Sequence, residues 1–365
     1  MKKFFVLIPF VLFGLLASAQ KATLTPLKEN AATAVKSQGE TGTCWNYSAT
    51  SLLESEQLRK GLGEFNLSEM YTVRGVYINK ALNYVGRQGK AQFGEGGLGH
   101  DLFNSIAAYG AMPHEAFQGY KGESPNHSGL ENQLKSYLDN VIRKKPIAAD
   151  WLAGYEKLLN EKMGVPPQNF DYKGKSYTAK SFASEVLKFN ADDYVSITSF
   201  THHPFYTKFI LDIPDNFANG QFYNVPLNEL LSITKDAIMK GYTVMWDADV
   251  SNADFRHDVG LALLHADAGK RAEFAPDATE KPYSQEIRQE LFDRLETQDD
   301  HLMHIVGVDK TPGGKTLFKV KNSWGTDNPL KGYIEVSDPY FAINTISIMV
   351  PKAAISAEIL KKLTL

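Results

Sequence analysis

Cys44 is the single cysteine of the chain, and it sits in the stretch QGETGTCWNYSAT. Gly39, Gly42 and their Ser and Thr neighbours read as a loop. Trp45, Ala49, Leu52 and Leu53 then recur at helical spacing, which predicts that Cys44 lies at or beside a helix N-terminus. The unpaired N–H groups there favour an anion, so they lower a thiol's pKa and promote the nucleophilic thiolate. Gln38 precedes the thiol by six residues. Its amide NH₂ could return over the sulfur and, with the Cys44 N–H, bind an oxyanion. The local segment alone leaves open a reactive thiol or an ordinary core cysteine.

A thiolate nucleophile needs a base, and the base needs a group to orient it. Far downstream the chain reads DDHLMHIVGVDKTPGGKTLFKVKNSWG. His301 to Val308 has the pattern of a strand, Thr311 to Gly314 that of a turn, and Leu317 to Asn322 that of a returning strand. Folding this hairpin brings Asn322 within a residue or so of being opposite His301. The Asn322 amide oxygen could then accept from the imidazole and fix its tautomer, with Trp324 covering the bond from water. His304 lies three positions from His301 and so faces the other side of the strand; among Met303, Ile305 and Val306 it reads as a hydrogen-bonded core histidine.

These residues resemble the papain-type cysteine peptidases. The resemblance rests on Gln38-x5-Cys44-Trp45, on Asp300-His301 with Gly307 six residues on, and on Asn322-Ser323-Trp324-Gly325. It implies Cys44 as nucleophile, His301 as base and then acid, Asn322 as orienter and Gln38 as oxyanion donor. A second patch, FGEGGLGHDLFNSIAAYGAMP, is similar to the glycine segment and helix of that family's cleft wall. It implies that Gly96 and Gly97, with Trp45 and Trp324, line the substrate site. The implied fold class is α+β: a papain-like two-lobed fold with a helical half, an antiparallel β half and a mainly helical insertion. From Cys44 to His301 the chain runs 257 residues, far more than the ~130–150 of ordinary papains, which implies an insertion of roughly 100 residues.

That width, and only some 18 residues between a predicted cleavage site and Gln38, resemble the bleomycin hydrolase and aminopeptidase C branch. So do LSEMY (Leu67 to Tyr71) and the stretch DNFANGQFYNVPLNELLSITKDAIMKGYTVMWDADV. The branch implies a peptide substrate, aminopeptidase action, no cofactor and a hexameric homo-oligomer. Its members end in an arm lying in the cleft; here AAISAEILKKLTL reads as a helix with Ile355, Ile359, Leu360 and Leu363 on one face, without the family's tail. An open-cleft endopeptidase is therefore the alternative expectation. Acyl transfer to an amine and a catalytically idle papain-like binding protein are the others.

Several elements must position these groups. Residues 1–19 combine Lys2 and Lys3, an apolar run from Phe4 to Leu16 and Ala17-Ser18-Ala19, the anatomy of a secretory signal peptide. The expected protein is thus exported, periplasmic or secreted, with no membrane association in the mature form. In such an oxidising setting a lone thiol is a candidate reactive group. A net charge of −3 with interspersed signs argues against nucleic acid as partner. The expected order is a helical half over 20–120, a helical insertion over 121–190 with helices at Leu130 to Val141 and Trp151 to Met163, a β half over 191–350 and a terminal helix over 351–365. His202 and His203 are adjacent, which makes one shared metal awkward, and no metal site is expected. Asp247 and Asp249, two apart, read as charged residues at the end of a buried strand rather than as an acid–base pair.

Overall fold

The computed structural model describes residues 24–267, 269 and 274–365; the expected signal segment, 1–19, lies outside them. Strand β1 (Thr25–Glu29) leads into a helical half built from α1 (Cys44–Arg59), α2 (Glu69–Gly86) and α3 (Gly99–Tyr109). Ser68 caps α2 by accepting from the Tyr71 N–H at 3.1 Å, which accounts for the Ser of the LSEMY stretch. The insertion follows with α4 (Leu130–Arg143), α5 (Trp151–Met163), the hairpin β2 (Phe170–Tyr172) and β3 (Lys175–Tyr177), and the single turn α6 (Ala179–Ser181). Leu134, Leu138, Tyr155 and Leu159 are among the buried residues that dock the insertion onto the core of the helical half.

The β half comprises β4 (Tyr194–Thr198), β5 (Lys208–Ile210), β6 (Gln221–Asn224), α7 (Leu227–Met239), β7 (Val244–Ala248), β8 (Phe255–Arg256), β9 (Leu261–Ala262) and α8 (Gln285–Asp293). It is completed by β10 (His301–Lys310), β11 (Thr316–Lys321), β12 (Tyr333–Ser337), α9 (Asp338–Asn344), β13 (Thr345–Pro351) and α10 (Ala357–Lys362). The strands order as β5-β6-β4-β13-β7-β10-β11-β12-β9-β8, and β1 crosses over to pair with β10. Most pairs are antiparallel; β4–β6 and β9–β12 are parallel. The β10–β11 hairpin forms as its sequence predicts, closed by the Gly314 N–H donating to the Thr311 carbonyl at 2.9 Å. In the tail, Ile355 and Leu363 are buried, and Ile359 and Leu360 pack against the core behind the sheet.

Two large apolar cores result, beside a small third cluster of Leu261, Leu263 and Leu317. One lies within the helical half and takes in Cys44, Met245 and Leu302 from the junction; the other lies between the sheet and α7, α9 and α10. Helix α1 is the element they share a boundary with, and it is buried on every side from Cys44 to Gln57. A helix so enclosed has no solvent face, so polar residues such as Asn46, Ser48, Ser51 and Glu54 bond inward. Among the described residues no helix is long and apolar enough to cross a membrane.

Candidate active site

Helix α1 begins at Cys44 itself, with Thr43 before it making no side-chain cap. The Asn46 N–H of the first turn bonds the Thr43 carbonyl at 2.9 Å, while the Trp45 N–H faces the sulfur. On the sheet side, Ser48 Oγ donates to the Met303 carbonyl at 2.5 Å, and Ser51 Oγ meets His304 Nδ1 at 2.8 Å. These bonds press the N-terminal part of α1 onto β10, so Cys44 lies beside the first residues of that strand. His304 is thus a hydrogen-bonded core histidine, as its neighbours in the sequence suggest.

His301 opens β10 and is buried. Its Nε2 lies 2.7 Å from Asn322 Oδ1. The backbone N–H of Ser323 also donates to that Oδ1 at 2.7 Å, which identifies it as the oxygen of the amide. His301 Nε2 must then carry the proton, and Nδ1 is left as the basic nitrogen. The pairing is more diagonal than the hairpin pattern suggests. Lys321 stands opposite His304, and a register shift lies between Ile305 and Gly307. Asn322, one step past Lys321, reaches back to His301 across the strand end. The indole of Trp324 lies 4.5 Å from the His301 ring and is 37% exposed, so it shields the His301–Asn322 bond while keeping one face to solvent.

Gln38 is tied to the same corner. Its backbone N–H donates to the Ser323 carbonyl at 2.8 Å, and its Oε1 accepts from Ser323 Oγ at 2.7 Å. Its Nε2 donates to the Thr41 carbonyl at 2.6 Å, which uses one of the two amide hydrogens. The segments carrying Gln38, Cys44, His301 and Asn322 are therefore locked to one another across the two halves.

Burial governs the charges here. It pushes the Cys44 thiol up to about 12, although the backbone N–H groups of Leu302 and Trp45 act the other way. The depressed thiol expected from a helix N-terminus is thus outweighed by desolvation. Burial likewise pushes His301 down to about 4, against the Asn322 bond. Each group alone prefers to be neutral. Moving the thiol proton to the imidazole creates adjacent opposite charges, which stabilise together what neither carries alone.

The expected cleft-lining residues divide. Trp324 is exposed at the site. Trp45 is fully buried and does not face a substrate, which corrects the sequence reading; its Nε1 donates to the Glu95 carbonyl at 3.0 Å. It works from beneath, holding the glycine segment. A Cβ on Gly97 would come within 3.1–3.2 Å of the Trp45 ring, so Gly97 serves close packing there. Gly96 gives its carbonyl to Lys80 Nζ. Glu95 and Gly96 also border a groove of about 650 Å³ shared with Glu40, Thr41, Gly42 and His127. Replacing Trp45 by Phe should cost about 1 kcal/mol through the lost Glu95 bond and loosen the segment. Denaturant unfolding would measure the first effect, and protease sensitivity near residue 95 the second.

The remaining candidates lie elsewhere. His202 packs parallel to Phe292 and meets Gln289 Nε2 at 3.1 Å through Nδ1. Asp249 accepts from the Ser251 and Gln298 N–H groups and holds a loop. Asp247 does have a carboxylate neighbour, but it is Asp299. Nothing local in the sequence pairs those two.

The matches to known proteins agree with this geometry. A model of the Peptidase C1-like family matches residues 91–365, three quarters of the chain. The chain belongs to the Peptidase C1-like family. It is a hydrolase of the cysteine peptidase class with a papain-like α+β fold. Aminopeptidase C of Listeria innocua serovar 6a is 25% identical over 393 residues, spanning 93% of this chain and 86% of its own length. Aminopeptidase G of Lactobacillus delbrueckii subsp. lactis is 26% identical over 368 residues, spanning 87% and 80%. The crystal structure of pepw from Lactobacillus rhamnosis HN001 superposes with a TM-score of 0.76 at 21% identity, covering 94% of this chain and 85% of that one. That likeness is one of fold.

Proposed function

We propose that the protein is a cysteine aminopeptidase, releasing N-terminal residues from peptides through an acyl-thioester on Cys44. The observation that carries the mechanism is the oriented His301–Asn322 pair opening the strand against which the α1 N-terminus is pressed. The kinship with aminopeptidases C and G supports the exopeptidase part.

The thiol proton passes to His301 Nδ1 as the sulfur attacks the scissile carbonyl. The Cys44 N–H and the second Gln38 amide hydrogen stabilise the oxyanion. The imidazolium then protonates the leaving amine as the C–N bond breaks, leaving the thioester. Water attacks the thioester with His301 again as base, and the thiol is restored as the carboxylic acid departs. Asn322 keeps the imidazole in the tautomer this cycle needs.

Gln38→Ala should lower kcat roughly 10²–10³-fold with little change in KM, as removal of an oxyanion donor does; steady-state kinetics on an aminoacyl arylamide measures it. The aminopeptidase reading is tested by digesting one peptide set in free and Nα-acetylated forms and mapping the products. Stepwise trimming of the free peptides alone is expected. Cleavage of acetylated peptides at internal bonds would replace that reading with an open-cleft endopeptidase.

A further inference from the structure

Three carboxylates meet beside the thiol, and none belongs to the Cys-His-Asn machinery. Asp247 lies on β7 directly opposite Leu302 of β10, so the two side chains share the sheet face that Cys44 packs on. Asp299 precedes His301 by two residues. Asp215 comes from the loop between β5 and β6, and its N–H donates to Asp299 Oδ2 at 3.1 Å. The charges of Asp215 and Asp247 both reach the Cys44 sulfur and hold its thiol up, after burial.

Two features set this group apart from a solvated acidic patch. First, Asp247 is completely buried, and its Oδ1 has no donor from any described residue; Oδ2 accepts from Ser347 Oγ at 3.2 Å. Asp299 Oδ1 is in the same position, and the two side chains face each other closely enough to share a proton. Burial pushes Asp299 up to about 7 and Asp247 well above the carboxylate range. Facing buried carboxylates need a proton or a cation between them. The nearby cation, Lys80, donates to the Gly94 and Gly96 carbonyls, and its charge bears on Asp215 rather than on the Asp247–Asp299 pair. Second, Asp215 lies on the substrate wall. A Cβ built on Gly96 would fall 2.1 Å from both of its carboxylate oxygens. An extended chain pairing with that wall would meet the carboxylate where its next residue should go.

We propose that Asp215 and Asp299, backed by the buried Asp247, receive the free α-ammonium group of a peptide substrate, so that the residue presented to Cys44 is the substrate's first. This rests on the aminopeptidase reading and assigns its specificity to side chains. An α-ammonium brings three N–H donors and one positive charge, which suits facing carboxylates that otherwise hold one proton between them. A lysine or arginine side chain one residue upstream offers similar chemistry. The Asp215 carboxylate against Gly96 favours the α-amino group, because it stops the chain there.

The test compares wild type with Asp215→Asn, Asp247→Asn and Asp299→Asn on three arylamides: a free aminoacyl one, its Nα-acetyl form, and an Nα-acetyl dipeptidyl one with Arg upstream. Asn keeps each side chain's shape, and Asp215 lies in a loop, so that variant should fold even if a buried one does not. The expected result is a roughly 10- to 100-fold fall in kcat/KM on the free aminoacyl substrate, the worth of a charged hydrogen bond. Iodoacetamide should alkylate Cys44 in each variant at least as fast as in the wild type, which shows an intact nucleophile; slower alkylation in step with the lost activity overturns the proposal. An unchanged free-to-acetyl preference in Asp215→Asn overturns the proposal, as does an equal loss on all three substrates. Selective loss on the Arg substrate reassigns the pocket to a side-chain cation and overturns it too. Should wild type cleave the acetylated substrate as readily as the free one, the aminopeptidase reading itself falls, a result the variants cannot mimic.

Discussion

Cys44→Ala should abolish peptidase activity, and His301→Ala should come close to it. Losses on the order of 10³-fold or more in kcat are expected for each, because nucleophile and base act as one unit. For the same reason the double variant should be little worse than Cys44→Ala alone. The structure makes Cys44→Ala a clean test. The methyl group left in its place fits the same buried space, and the change removes only the weak bonds that the sulfur accepts from the Leu302 and Trp45 N–H groups. Removing one sulfur costs little stability, so melting should stay near the wild-type value while turnover vanishes. Steady-state assay and thermal melting of the same preparations separate the two effects. Additive losses in the double variant would mean that the two residues serve different steps.

The second large effect is structural. Glu54, buried in the middle of α1, accepts from Thr33 Oγ1 at 2.5 Å, the Leu67 N–H at 2.8 Å and Lys36 Nζ at 3.2 Å. Lys36 also meets Glu69 at 2.6 Å. Burial pulls the Lys36 ammonium down, but Glu69 and Glu54 outweigh it and hold it above its ordinary range. From the β half, Lys321 Nζ donates to Thr33 Oγ1 at 3.1 Å and to Ser51 Oγ at 2.8 Å. Burial pushes Lys321 down to about 8. This chain of polar groups ties the β10–β11 hairpin to α1 just behind Cys44. Glu54→Ala strands a buried N–H, a hydroxyl and part of a charge. It should cost about 3 kcal/mol, at the low end for a broken buried pair because Glu69 still holds Lys36. Melting should fall by roughly 4 °C, and Glu54→Gln, which keeps the shape and two of the three bonds, should cost less. A Glu54→Ala protein that melts with the wild type would show that the network adds nothing to the join between the halves.

The sequence revealed its chemistry more readily than its packing. Local signals placed Cys44 at a helix start, the 130 and 151 helices, and the turn at Thr311 to Gly314, because each depends on residues a few positions apart. The His301–Asn322 bond was legible because one hairpin folds it. The substrate-lining reading of Trp45 comes from the family resemblance; its helical spacing with Ala49, Leu52 and Leu53 marks an apolar face but does not reveal that α1 is enclosed on all sides. The Lys321–Thr33–Glu54 chain joins residues 288 and 21 positions apart. The carboxylate group gathers Asp215, Asp247 and Asp299 from three separate elements. Closing of the two halves makes the first and assembly of the β-half sheet the second, and no periodicity records either.

The central claim is that peptide bonds are broken through a thioester on Cys44. It is tested most directly by mass spectrometry of enzyme quenched in acid within the first turnover of a free aminoacyl aryl ester. The account predicts a mass gain equal to one aminoacyl group, localised to the peptide containing Cys44 and absent from Cys44→Ala. Turnover with no such adduct, or an adduct on another residue, would contradict it.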